Sequence, residues 1–172
     1  LAVYNTLEAD RGKAGSGKRP LVLIVDTPGN GLTKIEEIIG MNKATGSSQL
    51  ALAEARQAGH PIVAMVIGRA ISGAFLCHGL QADRILSLSR DYATMIHVMP
   101  LSGIARITKR DIETLEALSR TNPVFASGAE FFHRLGGVEE ILDSTGAMKA
   151  AVARHIEAVY TLAAQGRQAE NG

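Results

Sequence analysis

Cysteine and aromatic side chains are scarce: one cysteine, no tryptophan, three tyrosines and four phenylalanines in 172 residues. The lone Cys77 cannot close an internal disulfide, which excludes a secreted disulfide scaffold. An excess of one charge is also missing. Eighteen basic and seventeen acidic residues give a net charge of +1, so nothing marks the chain for nucleic acid or an anionic membrane. No apolar run reaches the roughly 18–20 residues of a membrane helix, and no charged start with an apolar stretch marks a signal peptide. A soluble, cytoplasmic protein is expected. His60, His78, His97, His133 and His155 lack metal-ligand spacing. Glu36-Glu37 and Glu139-Glu140 are adjacent and point apart, so they read as solvated helix or strand-edge charges rather than an acid/base pair.

What is present fits one globular α/β domain over residues 1–172: 46% hydrophobic and 20% charged residues suffice for a core. The sequence begins at Leu1 and enters structure at once, so a preceding segment carrying the first strands is expected. Residues 20–26 (Pro-Leu-Val-Leu-Ile-Val-Asp) and 61–67 (Pro-Ile-Val-Ala-Met-Val-Ile) are short continuous apolar runs. They read as strands buried on both faces, the signature of a parallel sheet. Between them a helical stretch over 34–59 carries Ile35, Ile38 and Ile39 on one face, with an expected interruption at Thr45-Gly46-Ser47-Ser48 and a stop at Gly59 and Pro61. Strand, crossover helix and strand make a βαβ unit. A short helix over 74–80 and strands over 84–88 and 94–98 follow. From Leu101 the pattern is mostly helical, broken at Asn122-Pro123 and Gly136-Gly137. Met148, Val152, Ile156, Val159 and Ala163 share one face of a last helix, and the tail over 165–172 reads as frayed.

Residues 12–18 (Gly-Lys-Ala-Gly-Ser-Gly-Lys) imitate a phosphate loop, and Asp26-Thr27-Pro28-Gly29 imitates a GTPase motif. A phosphate loop follows a strand and opens a helix, so that helix amides cradle the phosphates. Here Lys18 precedes Arg19, Pro20 and a strand, and no Ser or Thr follows it to hold magnesium. A flexible basic turn is expected instead.

The turn Ile71-Ser72-Gly73-Ala74 carries more chemistry. A buried strand passes through small residues into a helix, whose first amides lack intrahelical partners and sit at the positive end of the dipole. Amides of Ser72, Gly73 and Ala74 there have the geometry of an oxyanion hole; a plain strand–helix turn kept small for packing is the alternative. Ser72 also sits in a loosened nucleophile-elbow pattern, which in a hydrolase would need Asp111 with His133, or Asp143 with His155. Cys77 and His78 are helix neighbours that do not face each other, and Cys77 reads as a buried small hydrophobe. His97 ends a strand just before Met99-Pro100, the end of an open α/β sheet where active sites lie. A structural or exposed histidine is the plainer reading. Ile71, Met99 and Pro100 are the residues expected to contact substrate.

These segments resemble a known family. Val25-Asp26-Thr27-Pro28-Gly29, then Ala58-Gly59-His60-Pro61, then residues 66–75 (Val-Ile-Gly-Arg-Ala-Ile-Ser-Gly-Ala-Phe) are similar to the carboxyltransferase branch of the crotonase superfamily. Within it, residues 78–84, 104–109 and 135–140 resemble the γ subunits of biotin-independent malonate decarboxylases. The resemblance implies a crotonase-like fold of ββα-type units around a largely parallel sheet. It implies a heterodimer with a homologous β subunit that decarboxylates a malonyl thioester to an acetyl thioester. The substrate would ride on the CoA-like prosthetic group of an acyl carrier protein, with no cofactor bound directly by this chain. Loss of carbon dioxide leaves an enolate whose oxygen needs hydrogen-bond donors, and the amides near Gly73 and Ala74 would supply them. The turn departs from the double glycine of the carboxylases, which leaves the donating amide open. The loop Asn30-Gly31-Leu32-Thr33 lacks the Gly/Pro-rich run of biotin-dependent relatives. A biotin-dependent acyl-CoA carboxyltransferase and a non-catalytic partner subunit are the competing expectations.

Overall fold

The computed structural model describes residues 1–29, 33–97, 101–122 and 128–166. Helix α1 (Ala2–Ala9) leads through a 3-10 turn (Gly15–Gly17) into strand β1 (Leu21–Thr27). Helices α2 (Lys34–Ile38) and α3 (Met41–Gln57) cross to strand β2 (Ile62–Ile71), which runs directly into α4 (Ser72–His78). Strands β3 (Arg84–Leu88) and β4 (Met95–His97) follow, then helices α5 (Leu101–Thr108), α6 (Ile112–Ser119) and α7 (Ala129–Arg134). Strand β5 (Glu140–Leu142) and helix α8 (Met148–Ala164) close the described chain. No helix among the described residues is long and apolar enough to cross a membrane.

The sheet has the order β1-β2-β3-β5, with every pairing parallel. One edge of β2 serves two strands: Val63 to Val66 pair with β3, and Arg69 to Ile71 pair with β4. Both faces of β2 are covered, as its continuous apolar run predicts. Ile62, Ala64, Val66 and Ala70 face a core shared with Leu52, Ala55, Phe75 and Ala129, whereas Val63 and Met65 face Leu86, Leu142 and α8.

Five expectations need correction. β1 is not buried on both faces: Val22 and Ile24 are exposed on one of them. The crossover helix breaks at Gly40, whose φ of +96° a side-chain-bearing residue resists, while Thr45, Gly46, Ser47 and Ser48 lie inside α3. β2 continues four residues past Ile67, held by β4, so the following helix starts at Ser72 rather than Ala74. β5 interrupts a stretch that reads as mostly helical, because its three residues are too short to show a period of two. Residues 12–18 are an anchor rather than a flexible turn. Buried Asp10 accepts from Lys13 Nζ at 2.7 Å and from the Arg19 backbone N–H at 2.8 Å. Lys18 is buried, and its ammonium donates to the Asp10 carbonyl at 3.0 Å. Tyr160 of α8 donates its hydroxyl proton to the Lys18 carbonyl.

Candidate active site at the end of the second strand

β1 and β2 stay in step from Leu21–Ile62 to Val25–Val66, then resume at Thr27–Ala70. Asp26 alone therefore faces Ile67, Gly68 and Arg69, and β2 bulges there. The Asp26 carboxylate holds the bulge by accepting from the Arg69 backbone N–H at 2.9 Å. That hydrogen bond keeps its pKa below the ordinary carboxylate value. A Cβ at Gly68 would stand 2.7 Å from Asp26 Oδ1, so the carboxylate needs glycine there.

Past the bulge the chain changes direction within one residue. Ile71 is extended, and Ser72 has a φ of +57°, the left-handed region where a non-glycine residue is strained. No side chain caps α4, which leaves the first amides, including those of Gly73 and Ala74, without a capping partner. Gly29, from the Asp26-Thr27-Pro28-Gly29 stretch, lies against this corner. A Cβ on it would stand 3.5 Å from Ile71 Cγ2 and 3.8 Å from Ser72 Cβ. The structure thus brings together two motifs 43 residues apart, counted from Gly29 to Ser72.

On the other edge of β2, His97 pairs with Ile71. Two buried polar atoms flank this strand end without a hydrogen-bond partner among the described residues: Thr27 Oγ1 and His97 Nδ1. Burial pushes the His97 pKa below the usual histidine value. Met99 and Pro100 lie outside the described residues, as do Asn30, Gly31 and Leu32 of the loop that follows Gly29.

Three of the four groups named for a Ser72 nucleophile are engaged elsewhere. Asp111 caps α6 by accepting from the Thr114 N–H at 2.6 Å, His133 Nδ1 donates to the Val138 carbonyl at 2.7 Å, and His155 pairs with Glu140 at 3.0 Å. Cys77 is buried, with the Gln49 amide 3.1 Å from its sulfur. Among the described residues no group of three or more His, Cys, Asp and Glu is placed to hold a metal ion.

The sequence profile of the malonate decarboxylase gamma subunit matches residues 2–171. The chain belongs to the malonate decarboxylase gamma subunit family. It is 64% identical, over all 172 residues, to the malonyl-S-ACP:biotin-protein carboxyltransferase MADD of Malonomonas rubra, of which it covers 59%. A crystal structure of a Pseudomonas malonate decarboxylase MdcD–MdcE hetero-dimer matches 95% of this chain and 63% of that one, at 36% identity and a TM-score of 0.75. An enoyl-CoA hydratase/isomerase of Cupriavidus metallidurans shares the fold at 21% identity and a TM-score of 0.54, over 92% of this chain and 63% of that one. The crotonase-like fold is therefore shared well outside the gamma subunits. The chain spans about three fifths of the length of these relatives.

Sequence reasoning placed Ile71, Ser72, Gly73 and Ala74 at the corner. It missed Thr27, Gly29 and Gly68 as its neighbours. The signal for them was the Asp26-Thr27-Pro28-Gly29 stretch at the end of a strand adjoining β2.

Proposed function

We propose that this chain supplies one oxyanion pocket of a two-subunit enzyme that converts a malonyl thioester to an acetyl thioester and carbon dioxide. The amides of Gly73 and Ala74 hold the enolate oxygen, and Ile71, with Met99 and Pro100, contacts the acyl group. A β subunit completes the active site, and an acyl carrier protein presents the substrate on its CoA-like arm. The cytoplasm is the compartment that fits the free, buried Cys77. The observation that carries this reading is the corner itself. A buried strand turns through left-handed Ser72 into an uncapped helix, with Gly29 of the Asp26–Gly29 stretch beside Ile71 and Ser72.

Breaking the bond between the α-carbon and the carboxylate leaves its electron pair on the thioester enolate. Donors placed for that oxygen stabilise the transition state more than the ground state, so they raise kcat. The test is a malonyl-thioester decarboxylation assay on the chain alone, on the β subunit alone and on the reconstituted pair. Only the pair should turn over. In the pair, Ser72→Ala keeps its amide and should retain activity, while Gly73→Pro deletes a donor and should lower kcat by about 10²–10³-fold. A Gly73→Pro pair that assembles and turns over like the native one would reduce the corner to a packing feature.

A second reading concerns the fate of the carboxyl group. The 64% identical MADD is named for carboxyl transfer to a biotin protein. On that reading the same pocket holds the same enolate, and biotin takes up the carboxyl group. Avidin-sensitive turnover, or co-purification with a biotinylated protein, selects this reading. Carbon dioxide release by the biotin-free pair selects the first.

A further inference from the structure

Carboxyl transfer to biotin is balanced by the N–H proton that biotin gives up, but decarboxylation leaves the enolate short of a proton, with no source for it yet named within this chain. We propose that His97 is that source: its imidazole delivers a proton to the α-carbon of the enolate held at the corner. This rests on the proposed site and adds a catalytic residue to it.

Three observations carry the inference. First, His97 is the register partner of Ile71, the residue immediately before the corner. Paired residues on neighbouring strands lie about 4.8 Å apart and project to the same face. The alternation agrees: Ile96 and Ala70 are fully buried on the core face, whereas Met95 and Arg69, paired one step earlier on the other face, are exposed. His97 shares that second face with Ile71, whose Cγ2 would stand 3.5 Å from a Cβ on Gly29. Second, His97 Nδ1 is enclosed and has no hydrogen-bond partner among the described residues. His60 Nε2 is likewise buried without a partner among the described residues, but that ring is held through its other nitrogen, since His60 Nδ1 donates to the Arg19 carbonyl at 2.8 Å; no such bond holds the His97 ring among the described residues. A buried polar atom without a partner calls for an explanation, and a transient partner in the reaction supplies one. Third, the residue is half-buried rather than sealed, so the ring can regain a proton from water after each turnover.

The step balances. The α-carbon–carboxylate bond breaks, carbon dioxide leaves, and the electron pair passes to the enolate. That pair then forms a C–H bond with the imidazolium proton, giving the acetyl thioester and a neutral ring. Solvent returns the proton, matching the one proton consumed overall.

Microscopic reversibility makes this testable without the carboxyl group or biotin. In D₂O, the native γβ pair should exchange deuterium into the methyl group of an acetyl thioester. His97→Gln should lower that exchange by about 10²-fold or more while the pair still assembles. Free imidazole should restore part of it in His97→Ala, which a purely structural role would not predict. Native-level exchange in His97→Gln overturns the proposal, as does a native pair that decarboxylates malonyl thioester without exchanging the product. A native pair with neither exchange nor turnover fails the site reading itself. Should both variants fail to assemble, ring ¹⁵N resonances of His97 in the native pair decide. They should shift with saturating acetyl thioester, and unmoved resonances overturn the proposal.

Discussion

Ser72 holds a left-handed backbone that costs an L-residue roughly 1–2 kcal/mol relative to glycine. Glycine loses about 0.5–1 kcal/mol through its freer unfolded chain, so Ser72→Gly should be neutral or stabilising by up to about 1.5 kcal/mol. Ser72→Val adds a β-branched side chain where φ is positive and should cost about 1–3 kcal/mol. Urea unfolding of the three proteins checks both, and a Val variant as stable as the native chain would contradict the left-handed corner. Gly68 is held by contact rather than by φ. An alanine Cβ 2.7 Å from Asp26 Oδ1 must displace the carboxylate from the Arg69 N–H, so Gly68→Ala should cost about 1–3 kcal/mol. It should also lower turnover of the reconstituted pair, because the bulge sets where Ile71 and Ser72 arrive.

At the scale of elements, legibility followed burial. β3 and most of β2 were readable because a strand buried on both faces must be apolar throughout, whatever its partners; β1 was readable from the same kind of apolar run, although Val22 and Ile24 on one of its faces are exposed. α8 was readable because Met148, Val152 and Ile156 form one stripe against the core. The last four residues of β2 were not. Gly68 and Arg69 resemble turn chemistry, and their strand character comes from pairing with β4 and from the Asp26 clamp, both remote in sequence. The corner was legible as a motif, yet its strained residue was not, since a serine gives no local sign of a positive φ. The helix break was misplaced for a related reason. Thr45-Gly46-Ser47-Ser48 is weak in local propensity, but α3 packing overrides it, while the Gly40 break depends on a single dihedral angle. Gly40→Ala should therefore destabilise the α2–α3 junction by roughly 1–2 kcal/mol, and Gly46→Ala should stabilise α3 by up to about 1 kcal/mol. Opposite signs in denaturant unfolding are the expected result, and equal signs would put the break back at Gly46.

At the scale of the molecule, Asp10 ties together parts that the sheet alone does not. Its carboxylate joins the end of α1 to Lys13 and Arg19, and the adjoining Lys18 carbonyl is held by Tyr160 from α8. The His60 ring, just before β2, closes over the same segment through the Arg19 carbonyl. Hydrogen bonds from Arg19, and then from Lys13, keep the Asp10 carboxyl well below the ordinary carboxylate range. Folding therefore favours the ionised form. Its stabilisation is complete above the unfolded value of about 4 and is lost progressively as pH falls through the lower folded value. Asp83 works in the opposite direction, since burial raises its pKa and acid relieves that cost. The native stability curve thus mixes two signs, and a variant is needed to isolate Asp10. Asp10→Asn should be less stable than the native chain at pH 7. The gap should narrow below about pH 4, as the native carboxyl loses the charge that the variant never had. Urea unfolding at intervals from pH 7 to pH 2 measures that gap, and a gap that stays constant would mean the anchor owes nothing to the charge on Asp10.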